Sequence, residues 1–155
     1  MSESQSRPCP CHRAQLYHQC CGPLHAGVTI AKSAERLMRS RYSAYVLKNE
    51  AYLLKTWHAT TRPDYLDLSG DQDEWLALEV LSHQPTDMTR AQVHFVAYFK
   101  QARQIYTLEE RSRFTQEGGA WLYIDGDCQV RSLKRGRNEP CICSSGKKLK
   151  RCCGR

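Results

Sequence analysis

An α+β fold is predicted for this sequence: two amphipathic helices, then a four-stranded antiparallel sheet, with a small metal module at each end. Three observations carry that expectation. Apolar residues recur at helical spacing between residues 33 and 57. From residue 75 to residue 126 the period changes to two, with short connections between the runs. Eight of the nine cysteines fall in two copies of one pattern at the chain ends.

The first element is Cys9-x-Cys11, eight residues, then Cys20-Cys21, and the last repeats it as Cys141-x-Cys143, eight residues, then Cys152-Cys153. Proline precedes both copies (Pro8, Pro140) and glycine follows both (Gly22, Gly154). Zinc takes four ligands tetrahedrally, at about 2.3 Å from each thiolate sulfur. A tight turn supplies two ligands and a short loop returns two more. Four thiolates leave no open coordination position, so each site reads as structural rather than catalytic. Two zinc ions are therefore expected, one on Cys9, Cys11, Cys20 and Cys21, the other on Cys141, Cys143, Cys152 and Cys153. Iron also suits tetrahedral sulfur. Binding of this kind contributes roughly 10–16 kcal/mol in zinc-finger peptides, enough to fold a segment with almost no core.

The two loops differ. Residues 144–151 read as a glycine turn at Gly146 followed by a short helical stretch into the cysteine pair. Residues 12–19 contain no glycine, and His12 or His18 is an alternative there to one of the thiolates. Cys128 stands alone and reads as a core or surface residue. Disulfides are not expected, because the cysteines cluster at the two ends with none in residues 22–127 and the N-terminus has no apolar signal-peptide core. A reducing cytoplasm is the expected compartment, and no apolar run approaches the roughly 18 residues that span a bilayer.

Between the modules, Ser33 is placed to cap a helix whose Leu37, Met38, Arg41, Tyr42 and Tyr45 share one face. Asn49 caps a second, carrying Tyr52, Leu53 and Trp57, and Asp64 to Leu68 add a helical turn. Strands follow at Trp75 to His83, Ala91 to Lys100, Ile105 to Phe114 and Ala120 to Gly126. Val93, Phe95, Ala97 and Phe99 of the second strand fall on one face, and Gly118-Gly119 turns the last hairpin. Short connections imply an antiparallel meander. The chain thus divides into a metal module at 1–28, an α+β domain at 29–130, and a basic linker with a second metal module at 131–155.

The net charge of +7 is localised. Residues 131–155 carry nine basic residues against the single acid Glu139, a net +8, and the rest of the chain nets −1. A divalent ion on four thiolates subtracts two, leaving +6 on the tail. That exceeds what one anionic centre needs, and a basic module on a flexible linker suits an acidic partner surface.

The run from Gly136 to Gly154, with Pro140-Cys141-Ile142-Cys143 and Lys150-Arg151-Cys152-Cys153-Gly154, resembles the SEC-C motif. That motif is known from the tail of the preprotein translocase motor SecA, where it holds zinc and contacts the chaperone SecB. Glu139, Ile142 and Ser144 depart from its usual Asp, Pro and Gly without removing a ligand. The whole chain resembles the bacterial YchJ-like family, on Cys20-Cys21-Gly22-Pro23-Leu24-His25, Leu37 to Tyr45, Glu110 to Phe114, and Trp121 to Gly126. At His12-Arg13-Ala14 the family usually has Gly-Ser-Gly. The resemblance implies a nuclear-transport-factor-2-like (cystatin-like) cone, with helices on a curved antiparallel sheet, flanked by two zinc modules.

The function expected is that of a zinc-binding cytoplasmic adaptor. Its C-terminal module docks on an acidic protein, chaperone- or translocase-like, or on the ribosome, while the cone has room for a small ligand. An enzyme acting in the cone is the first alternative, with His58, His94, Tyr98, Glu110, Arg113 and Asp125 as its polar groups. No nucleophile elbow or phosphate-binding glycine loop is present, so the reading without catalysis is preferred. A simpler assignment pairs Glu110 with Arg111 or Arg113 across the sheet, puts Asp125-Gly126 in a turn, and leaves Arg39 and Arg41 solvated or salt-bridged. Sequence-independent RNA binding through the tail is the second alternative. Base stacking is not indicated, since the tail lacks aromatic residues.

Overall fold

The computed structural model describes residues 7–143 and 145–155. Ser144, in the C-terminal cysteine loop, lies outside them. The described elements are α1 (Cys21–His25), α2 (Ala34–Val46), α3 (Glu50–Lys55), β1 (Glu74–Pro85), β2 (Arg90–Gln101), β3 (Gln104–Glu117) and β4 (Ala120–Ser132). Short 3-10 turns precede each cysteine pair, at Tyr17–Gln19 and Leu149–Arg151. No helix of the described residues is long and apolar enough to cross a membrane.

Both expected helix caps form. The Ser33 hydroxyl accepts from the Arg36 N–H at 3.2 Å, and the Asn49 carbonyl oxygen Oδ1 accepts from the Tyr52 N–H at 3.1 Å. Each satisfies a backbone donor that the helix itself leaves unpaired. The apolar stripe of α2 buries Leu37, Met38 and Tyr42, and the expected face is the observed one. Residues 64–68 make no helical turn. They run as irregular chain, tied where the Leu68 N–H meets the Glu50 carboxylate at 2.7 Å.

The four strands form an antiparallel meander in the order β1-β2-β3-β4. Ala91, Val93, Phe95, Ala97 and Phe99 of β2 are all buried on one face, as the period of two requires. The strands outrun their apolar pattern, because backbone pairing continues where neither face is covered. β4 passes through Asp125-Gly126 without turning and runs on to Ser132, six residues beyond the expected strand end at Gly126. Gly118 and Gly119 both have positive φ (56° and 82°), which the tight β3–β4 turn needs.

Register shifts at Trp75/Ala77, Val80/Ser82 and Arg113/Phe114 mark bulges, which bend and twist a sheet. Helix α2 packs across the concave face and touches β1, β2 and β4. After α3 the chain runs beside β4, with the His58 N–H on the Tyr123 carbonyl at 2.7 Å and the Tyr123 N–H on the Thr56 carbonyl at 2.8 Å. Phe114 and Leu53 are almost wholly buried at the centre of this core.

Candidate metal centres

The eight patterned cysteines converge into two groups of four, Cys9, Cys11, Cys20 and Cys21 in one and Cys141, Cys143, Cys152 and Cys153 in the other. Within each group all sulfurs lie within 4.8 Å of one another. Four thiolates about 2.3 Å from a tetrahedral ion stand about 3.8 Å apart. The observed spacings bracket that figure: 3.5 Å for Cys11–Cys20, 3.9 Å for Cys20–Cys21 and 3.4 Å for Cys143–Cys152. All nine cysteines are free thiols, with Cys128 exposed on β4. Neither His12 nor His18 belongs to the N-terminal group. The donor sets fit a metal ion.

The repeat extends to the backbone. Cys9 N–H bonds to the Gln15 carbonyl at 2.8 Å, and Cys141 N–H to the Lys147 carbonyl at 2.8 Å. Pro8 bridges Leu16 as Pro140 bridges Lys148. The Cys20 and Cys152 amides each cap their 3-10 turn at 3.1 Å. The following glycine is required in both copies. A Cβ on Gly22 would stand 2.8 Å from the Tyr17 carbonyl oxygen, and one on Gly154 2.8 Å from that of Leu149. Loop curvature is also shared. Gly146 has φ 81°, and in the loop without glycine His12 and Ala14 take φ 64° and 60°. These are the positions where the resembling family has glycine. The N-terminal loop thus makes left-handed turns without the residue that adopts them freely.

Four crowded thiols cannot all ionise without a cation. Hydrogen bonding with Cys11 and Cys9, with burial added, pushes the Cys21 thiol far above its ordinary range, and the Cys11 thiol is pushed up to about 12. Burial, then proximity to Cys141 and Cys143, raises Cys153 in the same way. A bound cation reverses that balance, because a coordinating thiol is deprotonated outright.

The surroundings of the two groups differ. Helix α2 closes over the N-terminal one: the buried Ser43 hydroxyl donates to the Cys21 sulfur at 3.3 Å and stands 3.6 Å from that of Cys9. Arg36 donates to the Cys20 sulfur at 3.5 Å and to its carbonyl at 3.2 Å, and Arg39 to the Cys11 carbonyl at 2.8 Å. Positive charge beyond the loop's own Arg13 thus arrives from the neighbouring helix, and Arg39 also makes an expected salt bridge, to Glu35 at 3.6 Å. Such outer contacts orient ligands and tune a metal site.

The C-terminal group rests on the sheet. Ile105 packs with Cys141 and Leu149, with Leu76 and Leu133 against them. Lys100 donates to the carbonyls of Cys153 and Arg155 at 3.1 and 2.8 Å. The linker expected to be flexible is anchored instead, the Leu133 N–H bonding the Ile105 carbonyl at 2.9 Å. Leu76 sits in the β1 bulge, which frees its backbone to bond His12 while its side chain faces the C-terminal module.

The polar groups expected in the cone are mostly elsewhere. His58 pairs with Glu117 and His94 with Glu109, each at 2.7 Å, and Arg113 bonds Asp125 at 2.5 Å and Asp127 at 2.9 Å. Tyr98 meets Glu79. Of the six only Glu110 lines the cavity between α2 and the sheet, and among the described residues it forms no ion pair with Arg111 or Arg113. Arg41 lines it too and is 5% exposed, not solvated. Its place on the apolar stripe of α2, among Leu37, Met38 and Tyr45, was the signal for that.

A nuclear-transport-factor-2-like domain between two tetrathiolate clusters defines the class, a SEC-C metal-binding protein. The family model for the YchJ middle NTF2-like domain matches residues 33–126, and that for the SEC-C motif residues 137–155. A UPF0225 protein of Vibrio cholerae is 42% identical over 151 residues, covering 94% of this chain and 99% of the relative. One from Shewanella sp. (strain ANA-3) is 42% identical, covering 97% and 98%. Among solved structures, a SEC-C motif containing protein from Psychrobacter arcticus is similar at TM-score 0.70 and 33% identity, over 99% of this chain and 98% of that one. Another, from Rhodopseudomonas palustris, reaches TM-score 0.71 and 34% identity over 78% and 98%. The chain belongs to the YchJ-like, UPF0225 family of bacterial proteins.

Proposed function

We propose that this protein is a zinc-binding cytoplasmic adaptor whose C-terminal module docks on an acidic protein surface. One observation carries the docking reading. Eight of the nine basic side chains in residues 131–155 are exposed, and none forms an ion pair among the described residues. The module that bears them is packed against Ile105, Leu76 and Leu133, so its charge is presented from a fixed platform. Pre-organisation lowers the ordering cost of binding. Zinc is the metal favoured by closed four-thiolate sites. The N-terminal cluster, roofed by α2, serves as a clasp.

The test is capture on immobilised protein, with and without nuclease, beside a Lys147→Glu, Lys148→Glu, Arg151→Glu variant that keeps every cysteine. Acidic proteins are expected on the wild type at low salt, released as salt rises, absent from the variant and indifferent to nuclease. Recovery of the same partners by the variant would overturn the reading. Loss of capture on nuclease treatment would replace the protein partner with RNA. Elemental analysis is expected to find two zinc per chain, and iron in their place would correct the metal.

A further inference from the structure

Between α2 and the concave face of the sheet lies a cavity of about 250 Å³. Its wall is largely aromatic, with Tyr42, Tyr45, Trp57, Trp75, Phe95 and Phe114 among the lining residues. Into this apolar wall the fold places a permanent cation. Arg41 is 5% exposed, and its Nη1 donates to the Leu53 carbonyl and the Thr56 hydroxyl, both at 2.7 Å. The guanidinium carbon lies 4.9 Å from the Trp57 ring centroid and 4.6 Å from that of Tyr123. These contacts fix the group in the wall but do not neutralise it. No carboxylate lies within ion-pair distance of Arg41 among the described residues, and Glu110 acts on its charge only across the cavity.

Glu110 lines the same cavity, yet its carboxylate is engaged by the Ser112 hydroxyl instead. Room for it exists because Gly126 faces it: a Cβ there would lie 2.7 Å from the Glu110 carboxyl carbon. Burial pushes the Glu110 carboxyl above its usual range. Two further donors in wall residues, the indole N–H groups of Trp57 and Trp75, are buried without a hydrogen-bond partner. A buried cation with no carboxylate in contact is costly, and aromatic faces favour a flat guest.

We propose that the cavity binds a small planar organic anion, one ring bearing a carboxylate, with the carboxylate on Arg41 and the ring against the aromatic wall. The size agrees, since a dry cavity of about 150 Å³ holds benzene. The guanidinium is shared: Nη1 bonds the Leu53 carbonyl and the Thr56 hydroxyl, the Tyr45 hydroxyl bonds the group as well, and a carboxylate would take the N–H groups that remain. Charge-assisted bonds from Arg to a carboxylate are among the strongest a protein makes. This site goes beyond the docking surface and is independent of it.

Benzoate is the probe, with benzyl alcohol as its neutral counterpart of similar size, both titrated into the metal-loaded full chain. The three tryptophan indole N–H resonances report location, because Trp57 and Trp75 line the cavity and Trp121 does not. Benzoate is expected to shift the first two saturably and leave the third in place. Benzyl alcohol and the Arg41→Gln variant are each expected to weaken binding about tenfold or more. The comparison of the two ligands uses unaltered protein, so it stands even where Arg41→Gln fails to fold. No saturable benzoate shift, equal affinity for the two ligands, or a response at Trp121 instead would overturn the proposal.

Discussion

Ala14 and Gly146 occupy equivalent places in the two cysteine loops, with φ of 60° and 81°. Their exchange gives a signed pair of predictions. A non-glycine residue held in the left-handed region costs about 1–2 kcal/mol. Glycine there removes that cost but gives the unfolded chain more freedom, a loss of about 0.4–1 kcal/mol. Ala14→Gly is therefore expected to stabilise the N-terminal module by about 0.5–1 kcal/mol, which is roughly two- to fivefold in affinity. Gly146→Ala runs the other way by a similar factor. Among the described residues no atom lies within 4 Å of a Cβ built on Gly146, so the dihedral carries the penalty. Module folding and metal binding are one equilibrium, and competition against a chromophoric chelator measures both effects. Weaker metal binding at the N-terminal site of Ala14→Gly would refute the argument, showing that the loop draws stability from the alanine side chain itself.

Removing the Ser43 hydroxyl by Ser43→Ala takes away the hydrogen bond to Cys21, and N-terminal metal affinity is expected to fall about tenfold or more with the C-terminal site unchanged. A Cys152→Ser, Cys153→Ser variant should lose one metal per chain by elemental analysis and retain the helix-capped N-terminal ion. Phe114→Ala empties the centre of the core, where Phe114 is 1% exposed, and should cost about 3–5 kcal/mol in denaturant unfolding. Glu110→Gln is expected to stabilise the protein at neutral pH. Because burial raises the Glu110 pKa, the folded wild type is penalised once pH exceeds the unfolded value, near 4.3. The difference between variant and wild type should therefore vanish below that pH and grow as pH rises towards the raised folded value.

Several features were legible from residue order because their causes are local. The period of two in Val93, Phe95, Ala97 and Phe99 forces one face inward whatever covers it. Ser33 and Asn49 cap through atoms three residues away. Residues 64–68 depart from the expected helical turn because their apolar spacing only imitates one, while the Glu50 carboxylate holds the Leu68 amide from another element. Asp125-Gly126 imitates a turn as well, but pairing with β3 overrides that local preference.

The two cysteine clusters divide along the same line. Their ligand identity, spacing and shared glycine were written in the sequence, since a tetrathiolate site is closed within about thirteen residues of chain. What surrounds each site was not. Ser43, Arg36 and Arg39 reach the N-terminal cluster from α2, and Lys100, Ile105 and Leu76 seat the C-terminal one on the sheet. The cavity is likewise a tertiary product. Arg41 and Glu110 lie far apart in sequence and line one cavity only when α2 crosses the bent sheet. Coordination is set by neighbours along the chain, whereas charge compensation, anchoring and enclosure depend on contacts between elements that only folding brings together.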